Sequence, residues 1–514
     1  MIRRIHGREI QEWAEKVGLS LSDDEALEFL DLTGRMLDNL DLVESLATPA
    51  APLLEAVRSL KPRPSKSEDP YNAIIQGCEV KANDRGLLSG MRIGLKDNMA
   101  VAGIPMTCGS RLLEGYVPKS DCVVAERLLQ AGGKIVAKLN MDDFAFSAGG
   151  ETSHFGAVTN PYDITRTASG SSSGPAAALH YDSIDLTFGT DQGGSIRLPA
   201  SWCGVLGLKP TFGLVPYTGI ASIDVTYDNV GPLARTVETL ALGLTAVAGR
   251  HSSDPRQHAD ILSNDYVDVV SRAPDDLRGV TIGVLLEGFN AEHATNAPPG
   301  TRQTMEATRE VVERVQEMGA TVKPISIPDH SISGSVKLAA LAEGYAATFH
   351  AFGNSYHQDA AYWEDFGMAL GKGMSAFSDD LHPTVKSALI LGNYLRERYF
   401  GSFYARARNW APTLREAYDR ALSEVDLIVM PTATHYAHKL APGASLAETV
   451  WRSWTCNANT AAANISGHPA LSMPAGEADG LPVGVMIVGT TFGDADLLSF
   501  ARTYEQANGW LPLG

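Results

Sequence analysis

The sequence predicts an α/β fold: a mixed, largely parallel β-sheet core covered by helices on both faces, with a helical segment at the N-terminus. Two observations predict it. From residue 71 onward, short apolar runs alternate with stretches of helical spacing, the pattern of strands covered by helices. The 514 residues are 44% hydrophobic and 20% charged, an ordinary globular composition that allows a large core and a smaller appendage.

The first element is helical. Ile10, Trp13, Ala14 and Val17 follow the i, i+3, i+4, i+7 rhythm of an amphipathic helix. Ser22–Glu25 (SDDE) has the form of a capping box ahead of a stretch containing Leu27, Leu30, Leu37 and Leu40. Such a segment serves either as a dimerisation or lid element or as a collar packed on its own core, and the pattern leaves both open. The prolines and mixed charge of LKPRPSKSEDP (60–70) make a linker. Residues 1–70 are thus set apart from a domain over 71–514. In that domain MRIGL (91–95) reads as a strand, CVVAERLLQAGG (122–133) as a helix and KIVAKL (134–139) as a strand. GVTIGVLL (279–286) then leads to a helix over 303–318, and LIVMP (427–431) and PVGVMIVG (482–489) are further apolar runs. Residues 327–424 interrupt the alternation with a mostly helical insertion.

The net charge is −18, from 42 basic and 60 acidic side chains. That balance repels phosphates and anionic membrane surfaces, so the expectation is a protein with no nucleic-acid and no membrane partner. Cys78, Cys108, Cys122, Cys203 and Cys456 are scattered, without a CxxC pair, which suits free thiols in a reducing compartment. The basic N-terminus has no apolar run after it, and no stretch reaches membrane-spanning length. The expected location is the cytoplasm.

Two serine–glycine clusters carry the chemistry: TASGSSSGPAAA (167–178) and FGTDQGGSIRLPA (188–200). Gly193 and Gly194 before Ser195 leave backbone N–H groups unencumbered, as an oxyanion hole requires. A plain Gly/Ser turn and a phosphate loop compete with this reading, though neither GxxxxGK[ST] nor GxGxxG spacing is present. A nucleophilic serine needs a base. The thirteen histidines form no HExxH, and Ser195 sits in GGSIR instead of GxSxG. Lys96, in GLKDN (94–98) at the end of an apolar run, is the remaining candidate, because burial lowers a lysine's pKa. Alone it proves nothing.

The combination does more. GLKDN, SGSSSGP (169–175) and GTDQGGSIRLPA (189–200), with GIPMTCGS (103–110), KLNMDDFAFS (138–147), GVLGLKPTFGLVP (204–216) and GHPALSMPAG (467–476), occur in the order and spacing of the amidase signature family. The chain resembles that family from about residue 71 to 510. The resemblance implies a serine amidohydrolase in which Ser195 is the nucleophile and Ser171, behind a cis Gly170–Ser171 peptide, bridges it to Lys96. It implies an oxyanion hole from the backbone N–H groups of Gln192, Gly193, Gly194 and Ser195. Ser169, Ser173 and Pro175 stand where family members usually carry glycine, glycine and serine. Cys203, in WCGVLGL with no partner base, reads as a buried structural thiol.

Within the family the helical N-terminus and the DQGGS form resemble bacterial amidases of nitrile metabolism. That implies hydrolysis of small aliphatic or aromatic primary amides to acid and ammonia, by a homodimer with a small-molecule amide as its partner. It also places Phe146 in the acyl pocket with Val450, Trp451 and Trp454 on the far side, ordinary core packing being the other reading of these side chains. Two alternatives remain: an aryl carbamate, ester or anilide hydrolase with the same triad, and the glutaminase subunit of a tRNA-dependent amidotransferase. The helical extension and acidic balance count against the second. No metal or organic cofactor is expected.

Overall fold

The computed structural model describes residues 2–46, 53–257, 261, 264–354 and 356–510. The chain divides into two compact units, Met1–Leu53 and Leu54–Gly514. In the first, helices span Glu9–Lys16 and Asp23–Glu44. The capping box read from the sequence forms: the Glu25 N–H donates to Ser22 Oγ and the Ser22 N–H donates to the Glu25 carboxylate. Arg4 ties the segment before the first helix to the second through Asp38 and Asp41.

The second unit is built on strands that we number in chain order. These are β1 (Val57–Lys61), β2 (Ile74–Lys81), β3 (Arg92–Lys96), β4 (Lys134–Leu139), β5 (Thr159–Asn160), β6 (Asp163–Thr167) and β7 (Leu186–Asp191). They continue with β8 (Leu206–Lys209), β9 (Asn229–Ala234), β10 (Thr281–Leu285), β11 (Thr321–Ile325), β12 (Leu427–Pro431), β13 (Ala470–Ala478) and β14 (Leu481–Val488). All but β5 and β6, which pair with each other, join one twelve-stranded sheet in the order β1-β2-β4-β3-β7-β9-β8-β13-β14-β12-β10-β11. Strands β7, β9, β12 and β14 are buried along their whole length, so their apolar runs have no solvent face to alternate with.

The sheet is more mixed than the alternation of elements suggests. It is parallel along β4-β3-β7 and along β12-β10-β11, and antiparallel at every other ladder. A buried apolar run carries no mark of its direction, which is why the sequence does not give it. The stretch read as the start of a linker also differs, because β1 pairs antiparallel with β2 in the sheet. Residues 333–422 carry four long helices, Ser333–His350, Glu364–Phe377, Pro383–Tyr399 and Ser402–Leu422.

One register positions the site. β3 and β7 are neighbours and parallel, with Gly94 opposite Thr187 and Leu95 opposite Phe188. Their C-terminal ends, Lys96 and Asp191, therefore emerge at the same edge of the sheet, where open α/β folds place their ligands.

Candidate active site

Lys96 closes β3 with no exposure to solvent. Its Nζ lies 2.8 Å from Ser171 Oγ, 2.9 Å from Thr190 Oγ1 and 3.4 Å from the Thr190 carbonyl. Burial takes the ammonium out of water and lowers its pKa to about 7, against the charges of Asp142 and Asp191 that pull it upward. A neutral amine fits the three neighbours. Its two N–H groups donate to the two Thr190 oxygens, and its lone pair accepts from the Ser171 hydroxyl.

Ser171 follows a cis Gly170–Ser171 peptide and is fully buried. Asp142 packs against that peptide: a Cβ on Gly170 would fall 1.8 Å from its carboxylate. The carboxylate is held in turn by the N–H groups of Gly150 and Thr152 and by the Thr152 hydroxyl. Ser195 lies in the turn between β7 and the helix Arg197–Cys203. Its carbonyl accepts from the Ser172 N–H at 3.1 Å, which ties the two serine clusters together. The Ser195 hydroxyl has no hydrogen-bond partner among the described residues, so the chain from Lys96 to Ser171 is closed and the step to Ser195 is open. Hydrogen bonds in an unoccupied site are often long and tighten only around a bound ligand.

The loop between Asp191 and Ser195 is braced from one side. The Asp191 carboxylate accepts from Arg197 Nε and Nη2 at 3.0 Å, from Asn464 Nδ2 at 2.9 Å, and from the N–H groups of Gly194 at 2.7 Å and Ile196 at 3.1 Å. Burial pushes that carboxyl up, but the Arg197 guanidinium and these hydrogen bonds outweigh it and hold it well below the usual range. Gly194 departs from expectation. Its N–H is committed to Asp191, which leaves those of Gln192, Gly193 and Ser195 without an acceptor among the described residues. Gly194 has φ +132°, and a Cβ there would meet Thr460 Oγ1 at 2.3 Å, so the turn admits only glycine.

Ser195, Gln192 and Gly193 face a cavity of about 50 Å³. Phe146 and Trp454 line it, with Ile223 and Leu341. Phe146 stacks on Tyr345 at 4.3 Å between ring centres and meets Trp454 edge-on at 5.6 Å. Val450 is a correction: it is half-buried on the helix Leu446–Trp454 and lies outside the cavity lining. Trp451 is 70% exposed. Val450 and Trp454 are four residues apart and share a face of that helix, and of its large side chains only Trp454, one turn nearer the C-terminal end, reaches the pocket. Cys203 is buried, its thiol directed at the Ala168 carbonyl.

Sequence reasoning missed Lys337. It is 3% exposed, lines the cavity, and its pKa falls to about 8 through burial. Its signal was available: a single cation in the apolar helical stretch SGSVKLAALA. It also missed the brace of Asp191 and Arg197, six residues apart around Ser195. Among the described residues, His435, His438 and Cys456 bring ligand atoms within 4.8 Å of one another. They lie outside the cavity lining, with Arg452 and Glu151 beside them.

A family model for amidases matches residues 71–498. The chain belongs to the amidase signature family. It is 36% identical to a glutamyl-tRNA(Gln) amidotransferase subunit of Exiguobacterium sp. over 86% of this chain and 89% of that protein. The corresponding subunit of Thermotoga maritima superposes with a TM-score of 0.71 at 26% identity, covering 87% and 91% of the two chains. Peptide amidase from Stenotrophomonas maltophilia superposes at 0.67 with 30% identity, covering 84% and 85%.

These relatives correct the partner expectation of a homodimer acting on a small amide with no nucleic acid. The first two are subunits of a multi-component enzyme that is itself named for a charged tRNA. Net charge speaks only to what this chain would touch directly, and an acidic subunit can work on an RNA held by another chain. Among the described residues no helix is long and apolar enough to cross a membrane.

Proposed function

We propose that this amidase-family chain hydrolyses a primary carboxamide at Ser195 and releases ammonia, as the glutaminase subunit of a tRNA-dependent amidotransferase. The observation that carries the chemistry is a neutral-range lysine hydrogen-bonded to a buried serine, next to a second serine open to a cavity. The subunit role rests on the 36% identity over 86% of the chain.

In this reading Ser195 Oγ attacks the amide carbonyl while its proton passes through Ser171 to Lys96. The negative oxygen of the tetrahedral intermediate accepts from the free N–H groups of Gln192, Gly193 and Ser195. Lys96 returns the proton through Ser171 to the departing nitrogen, and ammonia leaves an acyl-enzyme on Ser195. Water repeats the relay and releases the acid.

A second reading, a hydrolase of small aliphatic or aromatic amides working alone, is favoured by the aromatic wall of Phe146, Tyr345 and Trp454 and by the likeness to a peptide amidase. Ammonia release by the purified chain from glutamine, benzamide and a short aliphatic amide, with Ser195→Ala as control, separates the two. Turnover of glutamine alone, lost in the variant, supports the glutaminase. Turnover of benzamide above glutamine supports the second reading, and turnover that survives in Ser195→Ala removes both.

A further inference from the structure

Among the described residues, Lys337 is a charged group without a counter-charge in a mostly apolar cavity. It sits on the helix Ser333–His350, where Lys337, Leu341 and Tyr345 recur at i, i+4 and i+8 and so share one face. Lys337 and Leu341 line the cavity, and Tyr345 backs its Phe146 wall. The ammonium lies against the 192–195 loop: a Cβ on Gly193 would come within 2.4 Å of its Nζ. With the Asn457 amide turned to satisfy its neighbours, its oxygen accepts from Lys337 Nζ at 2.7 Å while its nitrogen donates to the Trp454 carbonyl.

An ammonium has three N–H groups, and Asn457 takes one. Among the described residues no carboxylate lies within ion-pair distance of Lys337. Asp191 contributes a field but is no partner, since its oxygens are filled by Arg197, Asn464 and the N–H groups of Gly194 and Ile196. A buried cation in this position is costly until an anion joins it. Nothing in the hydrolytic relay uses it.

We infer that Lys337 binds a carboxylate carried by the acyl group of the substrate, so that this cavity selects the monoamides of short dicarboxylic acids and related amino acids over neutral amides. The inference rests on the reading of Ser195 as the acylated residue. The short reach from Lys337 to Gly193 places that carboxylate close to the scissile carbonyl, which favours a short acyl chain.

The test is equilibrium binding to full-length Ser195→Ala at pH 7, by calorimetry, of glutaramate and the neutral pentanamide. The expected result is glutaramate bound at least about tenfold more tightly, with Lys337→Met or Lys337→Gln in the same background erasing the ratio. Equal binding of the two amides overturns the inference without any substitution at Lys337, so a misfolded variant cannot protect it. A preference that survives in both variants overturns it too, as does acetate competing as well as glutaramate, which would mark a general anion pocket. Turnover by the wild-type chain tests the hydrolytic reading separately. Preference without ammonia release removes the hydrolysis and keeps the subsite, and ammonia release without preference does the reverse.

Discussion

The brace of the 191–195 loop and the cavity that the loop faces treat buried cations in opposite ways. In the brace, Arg197 is fully buried and meets Asp191 at 3.0 Å. Near it in chemistry, Lys138 is fully buried against Asp97 at 2.9 Å. In the site, Lys96 and Lys337 are buried with no carboxylate in reach among the described residues, and burial lowers both pKa values. Paired charges hold the backbone in place; unpaired ones stay available to a proton or a ligand. Lys209 warns against using burial alone. It too is lowered by burial, to about 7, yet its Nζ donates to the Pro210 carbonyl and it lies outside the cavity lining. What separates Lys96 and Lys337 from it is their neighbours: a serine hydroxyl for one, an open cavity for the other.

The comparison breaks most readily at Lys96. Lys96→Ala should lower kcat by about 10⁴-fold or more, since removing the base of a serine nucleophile costs that order. The fold should survive, because no buried carboxylate is orphaned. Steady-state ammonia release together with a thermal melt reads both, and an activity near wild type would place the base elsewhere. Asp191→Ala should do the opposite. It strands a fully buried guanidinium and two N–H groups, at about 3–5 kcal/mol of stability, read as a lower denaturant midpoint. If Lys96→Ala destabilised the chain as much as Asp191→Ala, the distinction between brace and site would fail.

A smaller effect sharpens the role of Lys96. In the proposed relay its working form is the neutral amine, which predominates above a pKa of about 7. Below that value the neutral fraction falls about tenfold per pH unit, so kcat/KM should fall with it and level off above. Asp143 and Asp228, pushed up to about 7 by burial, titrate in the same window. Lys209 and Lys337, lowered by burial to about 7 and about 8, fall in or near it too. An acid limb retained in Asp228→Asn, Asp143→Asn, Lys209→Met and Lys337→Met therefore assigns it to Lys96, and a limb lost in any one variant moves the assignment to that group.

The parts legible in the sequence were those encoded by local runs. GLKDN, the serine–glycine clusters and the apolar strands each signal through neighbours in the chain, and β3 and β4 lie where MRIGL and KIVAKL place them. What the sequence hides is set by how the chain turns and packs in three dimensions. The commitment of the Gly194 N–H to Asp191 depends on a turn that folds the carboxylate back under its own loop. Asn464 reaches that carboxylate from a distant part of the chain, on the short helix Ala461–Ser466. Lys337 arrives from an insertion whose spacing reads as ordinary helix. Strand direction is hidden for a related reason, since a fully buried run looks the same either way.

The smallest effects test which side chains of one helix belong to the cavity. Trp454 meets Phe146 edge-on and lines the pocket, whereas Val450, one turn earlier, does not. Trp454→Ala strips apolar area from the acyl site, and the expected change is a rise in KM for an aromatic amide of about tenfold, near 1.4 kcal/mol. Val450→Ala removes two methyl groups outside that lining and should change KM by no more than about 0.5 kcal/mol. Both are measured on one amide at saturating pH, with kcat reported separately. A larger effect at Val450 than at Trp454 would mean that the helix shifts along its axis on binding and brings its preceding turn over the site, so that the cavity of the free chain is not the one the substrate occupies.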